Sequence, residues 1–169
     1  MMRSGGGKQK GASWEREVCR RLSLWLSKGE QEDVLWRSAM SGGRSTVAAT
    51  KGKRLAAQAG DISCIHPIGQ PFIDQFMVEC KSYRDLQYEG LVTGKGALAT
   101  FWRTAQYEAI KYEKSPLLIA RQNQQPSIAC VDYHGMKVLE LELLLCLTAP
   151  HQNFYAVRFD SFLDMAKRP

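Results

Sequence analysis

The chain has 169 residues, 44% of them hydrophobic, and a formal net charge of +6 at pH 7. This length is sufficient for one domain with a proper apolar core, and no apolar run in the sequence approaches the length of a membrane span. The positive charge favours a polyanionic partner, although solubility alone would also account for it.

The distribution of cysteine and glycine predicts how the chain is organised. The five cysteines are scattered and form no C-x-x-C pair. They are therefore predicted to be reduced core residues of a cytoplasmic protein, as in a bacterial or phage-infected cell, and not zinc ligands or disulfide partners. Residues 1–11 are rich in glycine and lysine, and they are predicted to form a flexible basic tail before a single domain over residues 12–169.

A first helix is predicted from Ala12 or Ser13 to Ser27, with Ser13 as its N-cap. Glu15 falls inside the apolar arc of this helix, and a carboxylate on the core-facing side is costly unless another group pairs with it or coordinates it. Two interpretations remain open: Glu15 belongs to a functional site, or it lies at the edge of the arc and reaches solvent or an arginine. The arc, at about 100° per residue, consists of Trp14, Val18, Leu22, Trp25 and Leu26.

Basic residues are concentrated in the first third of the chain. A strand is predicted at 34–37, followed by a loop of small residues at 38–45, whose two adjacent glycines would let backbone amides approach phosphates. An ordinary flexible turn is the alternative for this loop, and an insertion at 46–59 follows it. The basic side chains predicted to contact the phosphate backbone of DNA are Arg37, Arg44, Lys51, Lys53 and Arg54.

Residues 60–81 are predicted to form a β-hairpin, because short apolar runs at both ends flank a segment that contains two prolines and a glycine. Asp61 opens the first strand. Glu79 and Lys81 lie two residues apart at the end of the second strand, which sends both side chains to the same face of the sheet. Because the start of one hairpin strand lies near the end of the other, the three side chains are expected to converge.

Two carboxylates and an ammonium group at one end of a sheet indicate a divalent-metal site for hydrolysis. Mg²⁺ binds hard oxygen ligands and commonly takes one or two carboxylates, with water or phosphate oxygens as its other ligands. A metal ion there would lower the pKa of bound water and stabilise charge on a cleaved phosphodiester. Lys81 would orient or deprotonate the attacking water, or stabilise the developing charge. The alternative is an exposed hairpin on which Glu79 and Lys81 form a surface ion pair.

The pattern Gly60-Asp61, followed by Glu79-Cys80-Lys81, resembles the PD-(D/E)XK nuclease superfamily. The sequence departs from the name-giving motif, because Gly60 stands where that motif has proline. The resemblance implies that Asp61, Glu79 and the backbone carbonyl of Cys80 bind Mg²⁺, with Mn²⁺ able to replace it, and that Lys81 acts on the nucleophile.

The segment Gly11–Arg16 resembles the start of the archaeal-type Holliday-junction resolvases, which act in DNA recombination and repair. This second resemblance implies that Glu15 belongs to the active site and binds metal, directly or through water. It also implies that Ser41 and Arg44 lie on a loop that approaches DNA. A four-way junction has two-fold symmetry, so a resolvase is expected to be a homodimer.

Gln106 is a further, minor prediction from resemblance. Some related nucleases use a glutamine on the helix after the Glu-x-Lys strand, within a Gln-x-x-x-Tyr motif. Here the fourth residue after Gln106 is Ile110, so the motif is incomplete.

The rest of the chain completes a mixed α/β fold. The strand–helix–strand crossover between residues 76 and 120 predicts parallel pairing of its two strands, and the order αβββαβ is that of the restriction-endonuclease-like core. The resemblance covers about residues 11–121. The remaining predicted elements are a helix at 97–113, strands at 117–120 and 127–133, a helix at 137–147, a strand at 154–159 and a helix at 160–167.

These observations predict a metal-dependent DNA endonuclease, structure-selective and similar to a junction resolvase. A phage-type, restriction-type or repair-type DNA nuclease of the same superfamily is one alternative. A basic DNA-binding protein with an idle active site is another, and a protein-interaction module is a third. The intact set of Asp61, Glu79 and Lys81 favours an enzyme, since a protein that only binds DNA has no need of it.

Overall fold

The computed structural model describes residues 6–38, 59–142, 147–149 and 153–169. No helix within these ranges is both long and apolar enough to cross a bilayer. The helices are α1 (Gly6–Leu26), α2 (Gln70–Gln75), α3 (Gly90–Thr93), α4 (Ala97–Lys111), α5 (Tyr133–Val138) and α6 (Phe159–Met165). The strands are β1 (Leu35–Arg37), β2 (Ile62–Cys64), β3 (Phe76–Tyr83), β4 (Ser115–Gln122), β5 (Ile128–Val131), β6 (Leu147–Ala149) and β7 (Phe154–Arg158).

The strands form two sheets. Strands β1 and β2 pair antiparallel as a two-stranded ribbon, with Arg37 opposite Ile62. The main sheet has the order β3-β4-β5-β7-β6, in which β3 and β4 are parallel and the other neighbours are antiparallel. The crossover from β3 to β4 passes through α3 and α4. The predicted mixed α/β fold with the order αβββαβ is therefore confirmed.

Helices cover both faces of the main sheet. The predicted apolar arc of α1 is buried, and the indole Nε1 of Trp14 donates a hydrogen bond to the carbonyl of Ile119 at 3.3 Å. On the opposite face, Trp102 of α4 is buried and contacts Phe154 edge-on. Each helix presents one apolar stripe to the sheet, as the spacing of its apolar residues predicts.

The two faces of β3 have different neighbours. Phe76, Val78 and Cys80 belong to the same buried cluster as α1, whereas Met77 packs against Ala109 of α4. Since side chains alternate along a strand, Glu79 lies on the α4 face, two residues beyond Met77. The side of β3 toward α4 thus carries Glu79 and Lys81, and the side toward α1 belongs to the core.

The predicted hairpin over residues 60–81 is wrong in its pairing. Strand β2 pairs with β1, and the segment before β3 is a 3₁₀ turn (Pro67–Gly69) followed by α2. Proline occupies an early position in both helical pieces, where its missing N–H costs no hydrogen bond. Phe72 of α2 is buried against Trp25, so a helix here gains apolar burial that an exposed turn would lack.

Two other predicted boundaries differ from the structure. Helix α1 begins at Gly6, so residues 6–11 are helical rather than part of a flexible tail. The leucine-rich helix predicted at 137–147 is also not formed in its described part. Helix α5 ends at Val138, Glu140 adopts a positive φ of 47° that breaks the helical path, and residues 147–149 form β6. Leu139 and Leu141 are buried all the same, so the apolar pattern reflects burial and not helical periodicity.

Gly60 allows the β1–β2 ribbon to come into close contact with β3. Its φ of +82° lies in the left-handed region, and a Cβ atom at this position would lie 2.5 Å from the carbonyl oxygen of Val78. The amide of the next residue, Asp61, donates to that same oxygen at 2.8 Å. Glycine is therefore required here both by backbone conformation and by close contact, which explains why the sequence departs from the proline of the motif.

We predict that Gly60→Ala destabilises the protein more than Gly29→Ala, a matched control. Gly29 has a similar φ of +91°, but no atom lies within 4 Å of the point that a Cβ would occupy there. The control isolates the conformational cost, about 1–2 kcal/mol, and Gly60→Ala adds an overpacking cost of about 1–3 kcal/mol. Urea denaturation of both variants measures the difference, and equal losses would contradict the close contact with Val78.

Candidate active site

Three side chains predicted from the sequence to converge do so at the edge of the main sheet. The Nζ of Lys81 lies 2.9 Å from Oε2 of Glu79 and 4.0 Å from Oδ2 of Asp61. The backbone N–H of Cys80 donates to the same oxygen of Asp61 at 2.8 Å. Asp61 reaches the cluster from the residue before β2 and not from a hairpin partner of β3, so the convergence is correct although the predicted pairing is not.

The cluster is sheltered rather than exposed. The side chains of Asp61, Glu79 and Lys81 are 14%, 22% and 25% accessible, which does not fit the alternative of a solvated surface pair. Burial and the neighbouring Asp61 carboxylate raise the pKa of Glu79. Burial alone would lower the pKa of Lys81, but the carboxylates of Glu79 and Asp61 outweigh it and raise that pKa. Two carboxylates therefore share one ammonium group, which leaves an excess negative charge.

The donor set of this cluster fits a magnesium ion. Asp61 and Glu79 supply hard oxygen ligands, and their excess negative charge attracts cations, as the position of Lys81 between them illustrates. Within the described residues, no three His, Cys, Asp or Glu side chains form a metal-binding group. A cation here would hence have two carboxylate ligands and take the others from backbone, water or phosphate, which is the ligand pattern that Mg²⁺ accepts.

Cys80 contributes its backbone to the cluster and not its thiol. The thiol is buried in the core, where burial and the nearby carboxylate of Asp61 hold its pKa well above the ordinary range. In a strand, the N–H and C=O groups of one residue point to the same side. The N–H of Cys80 faces Asp61 at the edge of β3 opposite β4, so its carbonyl faces that edge as well, where it could serve as a further oxygen ligand.

Glu15, on α1, forms an ion pair with Arg37 at the end of β1. Its Oε2 accepts a hydrogen bond from Nε of Arg37 at 2.5 Å, and its charge helps to raise the pKa of Cys19 and Cys80 on the α1 side, where burial is the main cause. The ion pairs of Lys81, in contrast, are with Asp61 and Glu79. The structure thus places Glu15 against an arginine. The same pair occupies Arg37, one of the predicted DNA-binding residues. Glu15 and Asp61 both act on the pKa of Cys19 and of Cys80, so the two carboxylates lie near the same thiols, and metal binding by Glu15 stays a prediction.

Among the remaining predicted site residues, Gln106 lies in the described part of the chain and is not part of the cluster. Gln106 lies on α4, five residues beyond Phe101, which corresponds to a rotation of about 140° around the helix. Since Phe101 is on the side of α4 that faces Lys81, Gln106 is on the far border of the packed stripe. Five predicted DNA-binding or loop residues lie outside the described part of the chain: Ser41, Arg44, Lys51, Lys53 and Arg54.

Two aromatic residues beside the cluster are missed by the sequence-based predictions. The Nζ of Lys81 lies 5.6 Å from the ring centroid of Phe101, and Tyr83 packs on the same ring with centroids 5.2 Å apart. A signal exists for Tyr83, because the two-residue period that joins Glu79 to Lys81 continues to it. Phe101 lies on the apolar stripe of α4, and no sequence signal distinguishes it from its buried neighbours.

The fold and the cluster define the class of the protein. A mixed sheet with the order αβββαβ, which carries Asp61 and a Glu-x-Lys pair at one edge, is the arrangement of a PD-(D/E)XK nuclease. A model of the family described as "Phage putative PDDEXK endonuclease" matches residues 6–150. The chain belongs to this family, since the match covers most of its length. Neither the comparison with curated proteins nor that with solved structures gave a match.

The family match confirms the superfamily and not the finer resemblance. It includes α1, the ribbon, Asp61 and β3 together with the crossover to β4. The resemblance of Gly11–Arg16 to archaeal-type junction resolvases receives no support from it. The chain is therefore a nuclease of the phage PDDEXK type, and its substrate is a separate question.

We predict that Glu79→Gln stabilises the metal-free protein by about 1 kcal/mol, because it removes one of two carboxylates that share Lys81. The exposed pair of Glu108 and Lys111, 2.7 Å apart, offers a matched control: Glu108→Gln should change stability by less than about 0.5 kcal/mol. Thermal unfolding in EDTA measures both effects.

Adding Mg²⁺ extends the same experiment to the metal. Mg²⁺ should raise the melting temperature of the wild type and of Glu108→Gln, since a ligand that binds only the folded state stabilises it. It should do so much less for Glu79→Gln. A Glu79→Gln variant that is less stable than wild type in EDTA and still stabilised by Mg²⁺ would contradict this account of the cluster.

Proposed function

We propose that the protein is a metal-dependent DNA endonuclease that hydrolyses phosphodiester bonds, with Asp61, Glu79 and Lys81 as its catalytic residues. The observation that supports this most strongly is the sheltered convergence of the three side chains at the edge of β3, in a chain that belongs to a family of PDDEXK endonucleases. Single-site changes in this cluster therefore offer the most direct test.

Each residue has a distinct role in the proposed reaction. Asp61 and Glu79, with the carbonyl of Cys80, would hold Mg²⁺ or Mn²⁺. When bound there, the metal ion would supply Lewis-acid stabilisation of the charge that develops on the phosphate and would lower the pKa of water. The amide of Cys80 fixes the orientation of the Asp61 carboxylate. Without that hydrogen bond, the carboxylate would be free to rotate away from Glu79.

Lys81 acts as a donor in this proposal. In its ion-paired form it is an ammonium group, with three N–H donors and no acceptor, and both neighbouring carboxylates favour that form. Such a group orients the attacking water and stabilises negative charge on the phosphate oxygens. It does not remove the proton from the water. Phe101, under the Nζ atom, limits the directions in which the ammonium can move.

In this proposal the protein binds DNA mainly through electrostatic attraction. The net charge of +6 favours a phosphate backbone as the partner, and each neutralised phosphate contributes to a salt-dependent affinity. In this proposal Arg37 is partly occupied by Glu15 and serves mainly to position the ribbon beside α1. The contacts with phosphate come from the loop and insertion residues that the sequence identified: Ser41, Arg44, Lys51, Lys53 and Arg54.

For the substrate, we infer selectivity for branched DNA of the Holliday-junction type, cleaved by a homodimer. The segment Gly11–Arg16 resembles the start of junction resolvases, and the symmetry of a four-way junction requires two active sites. The description of the family is consistent with the alternative, a phage-type nuclease. A panel of substrates separates the two.

We predict that Glu79→Gln and Lys81→Met each reduce metal-dependent DNA cleavage by about 10²- to 10⁴-fold at saturating DNA, the range typical for loss of a positioned catalytic group. Glu108→Gln and Lys111→Met, made in the exposed pair on α4, should cut DNA at the wild-type rate. The measurement is single-turnover cleavage with Mg²⁺, Mn²⁺ or EDTA. DNA binding is followed in parallel by fluorescence anisotropy.

Two outcomes would count against the proposal. If no DNA substrate is cut with any divalent ion while binding persists, the protein is an idle DNA-binding member of the family. If Glu79→Gln and Lys81→Met cut as fast as the control variants, the active site lies elsewhere in the chain.

We predict that a four-way junction is cut at least about tenfold faster than linear duplex of the same sequence, because a two-fold dimer places its two sites on symmetric strands. Light scattering at assay concentrations should give the mass of a dimer. Faster cleavage of linear duplex ends, or a monomer that cuts every substrate equally, would replace the junction assignment by a general phage-type nuclease.

A further inference from the structure

The catalytic face of β3 continues beyond Lys81. Tyr83 lies two residues further along the strand, which corresponds to about 7 Å, and its side chain is on the same face as Glu79 and Lys81. It is 48% exposed. The face that carries the proposed chemistry therefore ends in an accessible aromatic ring.

The ring of Tyr83 is held in place from beneath. It packs on Phe101 at 5.2 Å between centroids and an interplanar angle of 32°, and the same Phe101 ring lies under Nζ of Lys81. Phe101 thus supports both the proposed catalytic ammonium and the exposed tyrosine. We call the ring of Tyr83, supported by Phe101, the platform. Because Phe101 already restrains this ring, it loses little conformational freedom when a flat ligand stacks on it.

A polar pocket of about 510 Å³ adjoins the end of β3. Arg84 follows Tyr83 directly and makes no ion pair with any residue that the structure describes. The turn after β4 is tied to the platform, because the amide of Asn123 donates to the carbonyl of Tyr83 at 3.2 Å. Two of the side chains that line the pocket already have partners: Arg121 pairs with Glu17 at 2.9 Å, and Oε1 of Gln122 accepts from the amide of Leu86 at 2.7 Å. The lining residues are Arg84, Arg121, Gln122, Asn123, Gln124 and Gln125.

These side chains match the chemistry of a nucleic-acid strand. Guanidinium groups bind phosphate, and the amides of asparagine and glutamine bind the edges of bases. Arg84 is the first residue after β3, about 10 Å along the chain from Lys81. The pocket lies around this end of the strand and extends to Arg121, which packs over Trp14 of α1. The pocket is therefore well placed for the DNA next to the proposed cleavage point.

We propose that Tyr83 and the pocket beside it bind an unpaired nucleotide of DNA that flanks the scissile phosphate. The base stacks on the ring of Tyr83, and its phosphate lies against Arg84. A base inside a duplex already has neighbours on both faces, so only an unstacked base has a free face to offer. The inference rests on the proposed function and makes it more specific: cleavage occurs beside single-stranded or branched positions.

The test measures binding and stacking without cleavage. Oligonucleotides of one sequence are prepared as duplex, as duplex with a single-stranded flap and as single strand, each with 2-aminopurine at the first unpaired or corresponding position. Tyr83→Ala should weaken binding of the flap and the single strand by about 5- to 150-fold, remove the quenching of 2-aminopurine and change duplex binding by less than about twofold. Tyr83→Phe should retain both the affinity and the quenching.

Tyr107→Ala is the matched control, since Tyr107 is an exposed tyrosine on the outer side of α4 that contacts Lys111. This variant should change neither DNA affinity nor 2-aminopurine quenching. Arg84→Ala should weaken binding of all three DNAs and lower the slope of log affinity against log salt by about one. Thermal unfolding of each variant ensures that any loss reflects binding and not folding.

Failure of this inference is distinct from failure of the proposed function. If Tyr83→Ala binds flap and duplex with the same affinities as wild type, and 2-aminopurine is not quenched by wild type, the platform does not bind a base, even if the wild type cuts DNA. In the opposite case, wild type quenches 2-aminopurine through Tyr83 and yet cuts no DNA with any divalent ion. In that outcome the platform is a DNA-binding site and the endonuclease proposal is wrong.

Discussion

Asp61 joins two sheets that would otherwise be separate, and the proposed active site depends on this junction. Its carbonyl accepts from the amide of Ser38, its amide donates to the carbonyl of Val78, and its carboxylate accepts from the amide of Cys80, each at 2.8 Å. The first bond continues the pairing of the ribbon, and the other two tie Asp61 to the edge of β3. They also bring a carboxylate from outside the main sheet to within 4.0 Å of Lys81, a distance that pairing within the main sheet would not produce.

Strand β3 serves packing and chemistry at once because its side chains alternate. The residues that face α1 are apolar and buried, whereas those that face α4 run from Met77 through Glu79 and Lys81 to Tyr83. The core face fixes the strand, and the position of each polar group then follows from the strand geometry.

Local periodicity predicts features that depend on a single helix or strand, and it fails where the interacting residues are distant in sequence. The shared face of Glu79 and Lys81 and the buried arc of α1 follow from spacing alone. The predicted pairing of β2 is wrong, because the choice between β1 and β3 as its partner is decided by tertiary packing that short apolar runs do not encode. The leucines at 139 and 141 suggest a helix only because a continuous apolar segment fits any buried conformation. The Glu15–Arg37 pair spans 22 residues, and the sequence predicts it only as contact with an unspecified arginine.

The position of β3 at the end of the described strand order has a consequence for handling the protein. An edge strand offers unpaired backbone groups to other chains, and charged side chains on such a strand oppose intermolecular pairing. Asp61 already takes up two backbone groups of this edge, the carbonyl of Val78 and the amide of Cys80, so it protects the edge against intermolecular pairing in addition to the chemistry proposed for it. A replacement such as Asp61→Ala would free the amide of Cys80, and the protein would be expected to self-associate more readily. Inactive forms for crystallisation with DNA are therefore better made at Glu79 or Lys81, where a substitution leaves the hydrogen bonds of Asp61 to the edge in place.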